Sequence, residues 1–264
     1  MKIKIVRKTV QWFVFIGIFL VPFLNIREIY FIKGTFYSID IGSLAMADPL
    51  AILQAFLASG TFGYLMLGSI VLPVLLMLIF GRVWCSFMCP YYLITELIEP
   101  LRRRLGMKKP TYSRDKLPKT NIFRFGFLTF GIFIMGISGI PLLNLVSAPG
   151  VISSQALVLV KFQYLTFEAL FILFLLILEL FFYRFWCRFF CPTGSLLSLI
   201  GKNHLMNVEK ITSECSMCKS CIRVCPMLIN PMEDGKSFAC NNCGDCVEVC
   251  PDNAKQDTLK FKIS

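Results

Sequence analysis

The apolar positions of this chain fall into four long runs, at about 10–27, 62–81, 122–143 and 166–183. Each approaches the roughly 20 residues that a helix needs to cross a bilayer. The charged residues between the runs are unevenly shared. Residues 82–121 hold Arg82, Arg102, Arg103, Arg104, Lys108, Lys109, Arg114, Lys116 and Lys119, and the N-terminal tail adds Lys2, Lys4, Arg7 and Lys8. The connections 28–61 and 144–165 hold only Lys33 and Lys161. Lysine and arginine stay on the cytoplasmic side, so this distribution places both termini and the central basic loop inside, with two apolar loops outside. Met1 to Lys8 ahead of the apolar run resembles a signal peptide. The run is long, however, and no small-x-small cleavage site follows Pro22-Phe23-Leu24-Asn25, which favours an uncleaved first membrane helix.

The pattern repeats. Trp84-Cys85-x3-Cys89-Pro90 and Trp186-Cys187-x3-Cys191-Pro192 close the second and fourth runs. Asp48-Pro49 followed by Gln54 is echoed by Ala148-Pro149 followed by Gln155, and Pro22 to Asn25 by Pro141 to Asn144. Two hairpins of the same orientation, related by a pseudo-two-fold axis along the membrane normal, account for this. After each proline a short amphipathic helix is expected, over Tyr91 to Leu105 and over Thr193 to Lys202. The first ends in Arg102–Arg104, a run that suits anionic headgroups or an acidic partner, or simply marks the inner side. The expected fold is a membrane all-α domain of four transmembrane helices over 1–202. A small α+β ferredoxin domain over 203–264 follows it.

Composition agrees. With 56% hydrophobic residues and mean hydropathy +0.69, the chain is too apolar for a soluble ferredoxin. Its net charge of +11 comes from the first 202 residues, where twenty Lys/Arg face eight Asp/Glu; the remainder holds seven against eight. That charge is topological and implies no nucleic-acid partner.

The last domain carries Cys215, Cys218, Cys221 and Cys225-Pro226, then Cys240, Cys243, Cys246 and Cys250-Pro251. Each set has the C-x2-C-x2-C-x3-C-P spacing of a bacterial two-cluster ferredoxin, in which the fourth cysteine of each run serves the other four-iron cluster. The expected ligand sets are therefore Cys215, Cys218, Cys221 and Cys250, and Cys240, Cys243, Cys246 and Cys225. A zinc ribbon would leave cysteines over, and eight free thiols argue for a reducing compartment.

The remaining cysteines are spaced i, i+4, which on a helix sets each pair on one face. Under the pseudo-two-fold, Cys85, Cys89, Cys187 and Cys191 converge on the axis. They form a shared metal or iron–sulfur site, a pair of redox dithiols, or merely buried small residues; Arg82, Arg184 and Arg188 are placed to stabilise thiolates. Among polar residues in apolar surroundings, Glu168 and Glu179 border the last run, and Glu179 is a candidate partner for Arg184. Asp48, Gln54, Ser153, Ser154 and Gln155 fall in connections too apolar to be ordinary loops. Asp48, Gln54 and Gln155 have the chemistry to bond quinone oxygens and pass protons; helix capping and loop packing are the alternative. His204 reads as a surface histidine in the linker. There is no histidine pair for a membrane haem, no C-x2-C-H, and no G-x-G-x-x-G after a strand.

Taken together, Gly81-Arg82-Val83-Trp84-Cys85, Arg184-Phe185-Trp186-Cys187, the stretches Ala47 to Gln54 and Ser147 to Leu157, and the two terminal cluster motifs resemble the NapH/NosR/CcoG superfamily. The chain has no room for the outer flavin domain of NosR-like proteins, and it ends soon after Cys250, unlike CcoG-like proteins; both features favour the NapH branch. That resemblance implies a bacterial inner-membrane subunit that oxidises menaquinol or ubiquinol. Electrons would pass through two [4Fe-4S] clusters to a periplasmic iron–sulfur protein of the NapG type and other nitrate reductase electron-transfer subunits. A CcoG-like assembly factor that reduces copper or maintains a metal cofactor is the alternative it leaves, and a regulatory or anchoring subunit is a third. The route across the bilayer is open at this stage, because all twelve cysteines fall on the cytoplasmic side.

Overall fold

Proline and glycine punctuate a helical unit that the chain lays down twice. The computed structural model describes residues 2–28, 32–35, 38–41, 44–61, 63–113, 116–211, 215–254 and 256–263. In the first half, α1 (Lys2–Ile26) is followed by an antiparallel meander of β1 (Ile32–Thr35), β2 (Ser38–Ile41) and β3 (Leu44–Ala47). Then come α2 (Pro49–Ser59), α3 (Tyr64–Phe80), α4 (Val83–Phe87) and α5 (Pro90–Arg104). The second half gives α6 (Lys116–Ser138), α7 (Leu142–Val146), α8 (Ala148–Phe162), α9 (Phe167–Phe181), α10 (Phe185–Phe189) and α11 (Pro192–Ile200). Pro49, Pro90, Pro149 and Pro192 all sit in the first turn of their helices, where a missing N–H costs nothing.

The two connections expected as outer loops are instead return segments that end in half-helices. Asp48, just ahead of α2, shares a cavity with Pro73, Met77 and Trp84 at the far end of α3. Ala148 at the start of α8 packs with Tyr91, Leu175 and Trp186. Both half-helices therefore start deep, beside the Trp-Cys motifs, and run back toward the turns that precede α3 and α9. Helical backbone is what allows so apolar a stretch to be buried, because its own N–H and C=O groups are satisfied. The return segment of the second half presses α7 onto α6: a Cβ on Gly131 would overlap the Leu143 side chain, so any larger residue there must displace it.

Among the described residues two helices, Ile3–Ile26 and Pro118–Ser138, are long and apolar enough to cross a bilayer. Only 17% and 22% of their apolar windows are buried, so those side chains face outward, unlike the core helix of a soluble protein. Helices α3 and α9, at 17 and 15 residues, reach about 25 and 22 Å at 1.5 Å per residue, short of the roughly 30 Å hydrocarbon core. They too expose apolar side chains, among them Leu67, Val71 and Leu75, and Leu170, Phe174 and Ile177. Two of the four expected spans thus meet the length requirement. Phe62 and Arg114, counted in the second run and the basic loop, lie outside the described residues.

The C-terminal unit pairs β4 (Met206–Lys210) with β5 (Leu259–Ile263) in antiparallel register, Met206 opposite Ile263. Between them lie α12 (Ser220–Val224) and α13 (Asp245–Glu248). Val208, Leu259, Cys221 and Cys246 form its core. It is docked on the helical part. Asn242 Nδ2 donates to the Phe80 and Met206 carbonyls at 2.9 and 2.8 Å, and Lys109 Nζ to the Val224 carbonyl at 2.9 Å. Docking buries His204, which is 5% exposed with Nδ1 2.7 Å from the Gly201 carbonyl oxygen, so it is no surface histidine. Its ring fills the space where Gly81 (φ 67°) has no side chain.

Candidate redox centres

Cys215, Cys218, Cys221 and Cys250 line one small cavity together with Met232 and Asp252. Cys218 is exposed, and the Ser220 hydroxyl and amide hold its thiol below the usual range. Cys225 joins Cys240 in a buried cluster with Met227, Ile229 and Ala239, and Cys246 feels Cys243, Cys240 and Cys225. The last cysteine of each run thus stands with the first three of the other. Burial pushes Cys240 up to about 12, and raises Cys225, Cys243 and Cys246 as well. Thiols in such surroundings stay protonated until a cation compensates them. No three His, Cys, Asp or Glu among the described residues stand close enough for a single metal ion. Thiol-only donor sets spaced more widely than one ion needs fit a multi-iron cluster.

The Cys85/Cys89 and Cys187/Cys191 pairs do not lie on one continuous helix. Helix α4 ends at Met88, and Cys89 caps α5 in extended conformation (φ −69°, ψ 119°); Cys191 caps α11 likewise. The cause is the following proline, which drives its predecessor out of the helical region. The four cysteines are nevertheless gathered from both halves. Burial raises Cys89, with Cys85 and Cys191 adding to it; burial also raises Cys187, with Glu179, Cys191 and Cys89 contributing. Cys191 is pushed up to about 11 by burial, against the Gly194 amide, which donates to its Sγ at 3.5 Å. Arg82 and Arg124 also favour its thiolate. Arg124 is 1% exposed, donating through Nη2 to Gly194 O at 3.1 Å and Ser198 Oγ at 2.8 Å.

Hydrogen bonds from Ser86 and Arg82 join this group to the ferredoxin unit. Ser86, between Cys85 and Cys89, is fully buried, and its single hydroxyl proton has two acceptors in reach, the Asn241 carbonyl at 2.8 Å and the Val83 carbonyl of its own helix at 3.1 Å. Asn241 lies between Cys240 and Cys243. Gln11 Nε2 donates to the Ser86 carbonyl at 2.7 Å, and Arg82 Nη1 to the Phe238 and Ala239 carbonyls at 3.1 and 3.3 Å. Arg7, 1% exposed, donates to the Cys243 carbonyl at 2.9 Å and pairs with Glu96 and Asp245 at 2.8 and 2.9 Å. Sequence reasoning missed Arg7, Gln11 and Ser86 because Arg7 was counted only as an inner-side charge. The usable signal was Arg7 and Gln11 at i, i+4, which sets two polar groups on one face of an otherwise apolar helix.

The remaining candidates part ways. Gln54, with its amide oriented as its neighbours require, donates to the Pro141 carbonyl at 3.2 Å and accepts from Asn144 N at 3.1 Å. Gln155 accepts from the Thr166 amide at 3.2 Å and from its hydroxyl, and donates to the Tyr164 carbonyl at 3.3 Å. Both tie their half-helices to neighbouring turns. Ser154 Oγ donates to Glu168 at 3.0 Å. Glu179 accepts from Tyr91 Oη at 3.0 Å, and Arg102 Nη1 donates to the Glu179 carbonyl at 2.9 Å. Arg102 is thus buried at a helix junction rather than offered to headgroups. Arg184 favours the Glu179 carboxylate through its charge and its backbone amide, but its guanidinium turns elsewhere. It lies 3.9 Å from the Tyr92 ring centroid and 4.0 Å from Glu96. Asp48 is 9% exposed, and its Oδ2 has no hydrogen-bond partner among the described residues.

A ferredoxin unit docked on a repeated helical part defines the class: an iron–sulfur electron-transfer protein. The 4Fe-4S binding domain family matches residues 62–108 and 165–209, so its two matches fall on the two helical halves, each with one C-x3-C-P motif. The ferredoxin-type protein NapH of Escherichia coli is 29% identical over 231 residues, 84% of this chain and 74% of its own. The methylamine utilization ferredoxin-type protein MauN of Methylorubrum extorquens is 27% identical over 213 residues, 78% of this chain and 70% of its own. An uncharacterized protein of Methanocaldococcus jannaschii is 32% identical over 185 residues, 69% and 74%. The chain belongs to the NapH-like family of ferredoxin-type proteins. No solved structure matches it.

Proposed function

We propose that this chain is the membrane quinol-oxidising subunit of an electron-transfer chain. In this reading four spans, α1, α3, α6 and α9, place both termini and the ferredoxin unit on the cytoplasmic side, as the Lys/Arg distribution supports. Cys215, Cys218, Cys221 and Cys250 hold one [4Fe-4S] cluster, Cys240, Cys243, Cys246 and Cys225 a second, and Cys85, Cys89, Cys187 and Cys191 a third centre. When bound, such groups take up and release single electrons. The residues of the chain align them: Ser86, Arg82 and Gln11 fix the C-x3-C segment of the first half against the Cys240–Cys243 loop. The contact between Ser86 and Asn241 carries the proposal, because it supports a third centre at the C-x3-C cysteines beside the proposed second cluster. The acceptor is a partner on the far side of the membrane, an iron–sulfur protein of the NapG type where the system is a nitrate reductase.

The test is anaerobic mixing of the purified protein with a reduced naphthoquinol while the iron–sulfur absorbance is followed. Bleaching by quinol as well as by dithionite supports quinol oxidation. Bleaching by dithionite alone, with copper binding that depends on Cys85, Cys89, Cys187 and Cys191, replaces it with the assembly-factor reading. Cys225→Ser is expected to damage the Cys240–Cys246 cluster first, seen as selective loss of one of two electron paramagnetic signals; loss of the other signal rejects the ligand exchange.

A further inference from the structure

Beside the first C-x3-C motif lies a groove that no step above uses. It is lined by Val6 and Val10 of α1, Leu76 and Phe80 of α3, Trp84, and Phe261 of the ferredoxin unit. It encloses about 550 Å³ and is almost wholly apolar. That volume is within the range of small-molecule sites. Pro73, Met77 and Trp84 line this groove and also the narrow cavity that holds Asp48. The two spaces thus share a wall, and Trp84 immediately precedes Cys85.

An apolar slot and the cavity of a buried carboxyl thus adjoin at Trp84, the residue before Cys85. Asp48 differs from the other polar candidates at this depth. Gln54 and Gln155 are bonded to neighbouring turns, and Glu179 is bonded by Tyr91. Asp48 Oδ2 has no hydrogen-bond partner among the described residues, and the Leu50 amide of its own helix faces the carboxyl without closing a cap bond. A buried acceptor oxygen without a donor is costly, and a hydroxyl donor arriving from the groove side relieves that cost.

We propose that this groove seats a lipid-substituted hydroquinone, with its ring against Trp84 and its chain between α1 and α3, and that Asp48 accepts a proton from it. This rests on the quinol-oxidation reading and assigns it a place and a base. Oxidation breaks two O–H bonds and releases two electrons and two protons. The electrons leave singly to one-electron iron–sulfur acceptors on the Cys85 side. One proton goes to Asp48 Oδ2 and the other to water at the cytoplasmic end of the groove, beside Met206 and Asn242.

The experiment uses the full chain in lipid nanodiscs and a heptyl hydroxyquinoline N-oxide as a quinol analogue. The chain has three tryptophans, Trp12, Trp84 and Trp186, so quenching can be assigned by substitution. Trp84→Phe is expected to remove most of the quenching, and Trp12→Phe and Trp186→Phe little. Val10→Phe, which narrows the groove, is expected to weaken analogue binding about tenfold, the scale of one overpacked side chain. Asp48→Asn is expected to keep analogue binding and dithionite bleaching while slowing quinol bleaching by about a hundredfold, the usual worth of a positioned base. If quinol bleaches the parent but Val10→Phe and Asp48→Asn behave like it, the site is overturned and quinol oxidation stands. If the analogue displaces nothing and a phospholipid alone occupies the groove, it is a lipid seat and the proposal fails. If quinol never bleaches the parent, both readings fall together.

Discussion

The two helical halves carry their buried carboxyls in different places, and the difference separates structure from chemistry. Asp48 precedes Pro49 in the first half, and Ala148 stands in that place in the second. Seven residues before Trp186 the second half has Glu179; seven before Trp84 the first has Met77. Met77 lines the cavity of Asp48, and Ala148 packs with Tyr91, which bonds Glu179. Each half thus keeps one carboxyl at the junction of half-helix and returning helix, but on opposite sides of it. In the second half it is bonded by Tyr91. In the first it faces a cavity that abuts an open groove. A structural carboxyl has its lone pairs occupied; one kept for chemistry does not.

Docking of the ferredoxin unit breaks the repeat further. In the first half Arg82 and Ser86 bond the backbone of the second cysteine run, whereas Arg184 turns to Tyr92 and Glu96. The largest effect on this asymmetry is expected from Arg7→Met. It strips Glu96 and Asp245 of a shared buried guanidinium, and removing one partner from such a network costs about 3–5 kcal/mol. The ferredoxin unit should then become susceptible to cleavage at its linker, with thermal unfolding at lower temperature. A variant as protease-resistant as the parent would show that docking rests on the other contacts. Gly81→Ala comes next. Its Cβ would stand 2.7 Å from His204 Cδ2 at a positive φ, for about 2–3 kcal/mol of left-handed strain and crowding. The second half places Tyr183 at the matching position, so a bulky residue there is excluded only where the ferredoxin chain passes.

Much of this was legible in the sequence. The apolar runs, the Trp-Cys repeat and the cluster spacing located the long helices, the two halves and the cysteine sets. The half-helices were not legible, because Ala47 to Ser59 and Ser147 to Lys161 are short apolar stretches whose depth is set by what they pack against. The break between the paired cysteines was readable in principle, since Pro90 and Pro192 dictate it. The partners of Gln54 and Gln155 lie in return segments whose course no local pattern reveals. Their chemistry matched that of Asp48 in sequence, and only the hydrogen bonds tell them apart.

Ser86→Val tests the bridge between centres at intermediate cost. It leaves the Asn241 carbonyl buried without that donor, at about 1–3 kcal/mol, and is expected to slow passage of electrons from quinol to the ferredoxin clusters while dithionite still bleaches them. The matching substitution in the second half, Arg188→Val, removes a guanidinium that acts on Cys225, and is expected to slow that rate less than Ser86→Val. Equal slowing in both would mean that the two halves share the route.

The smallest effect on stability is the most informative about the carboxyls. Tyr91→Phe deprives Glu179 of its hydroxyl donor, and a buried acceptor left so costs about 1–3 kcal/mol. Asp48→Asn replaces a carboxyl that burial raises to about 7 and whose Oδ2 bonds nothing among the described residues. Burying an unpaired charge is unfavourable, so the neutral amide should unfold at the same temperature as the parent or higher. Thermal unfolding of the two variants side by side decides between the roles. Loss of stability in Asp48→Asn equal to that in Tyr91→Phe would make Asp48 a second structural carboxyl, and the first half would then hold no base for quinol. Stability kept in Asp48→Asn together with slowed quinol bleaching would assign the open carboxyl to chemistry and the bonded one to the fold.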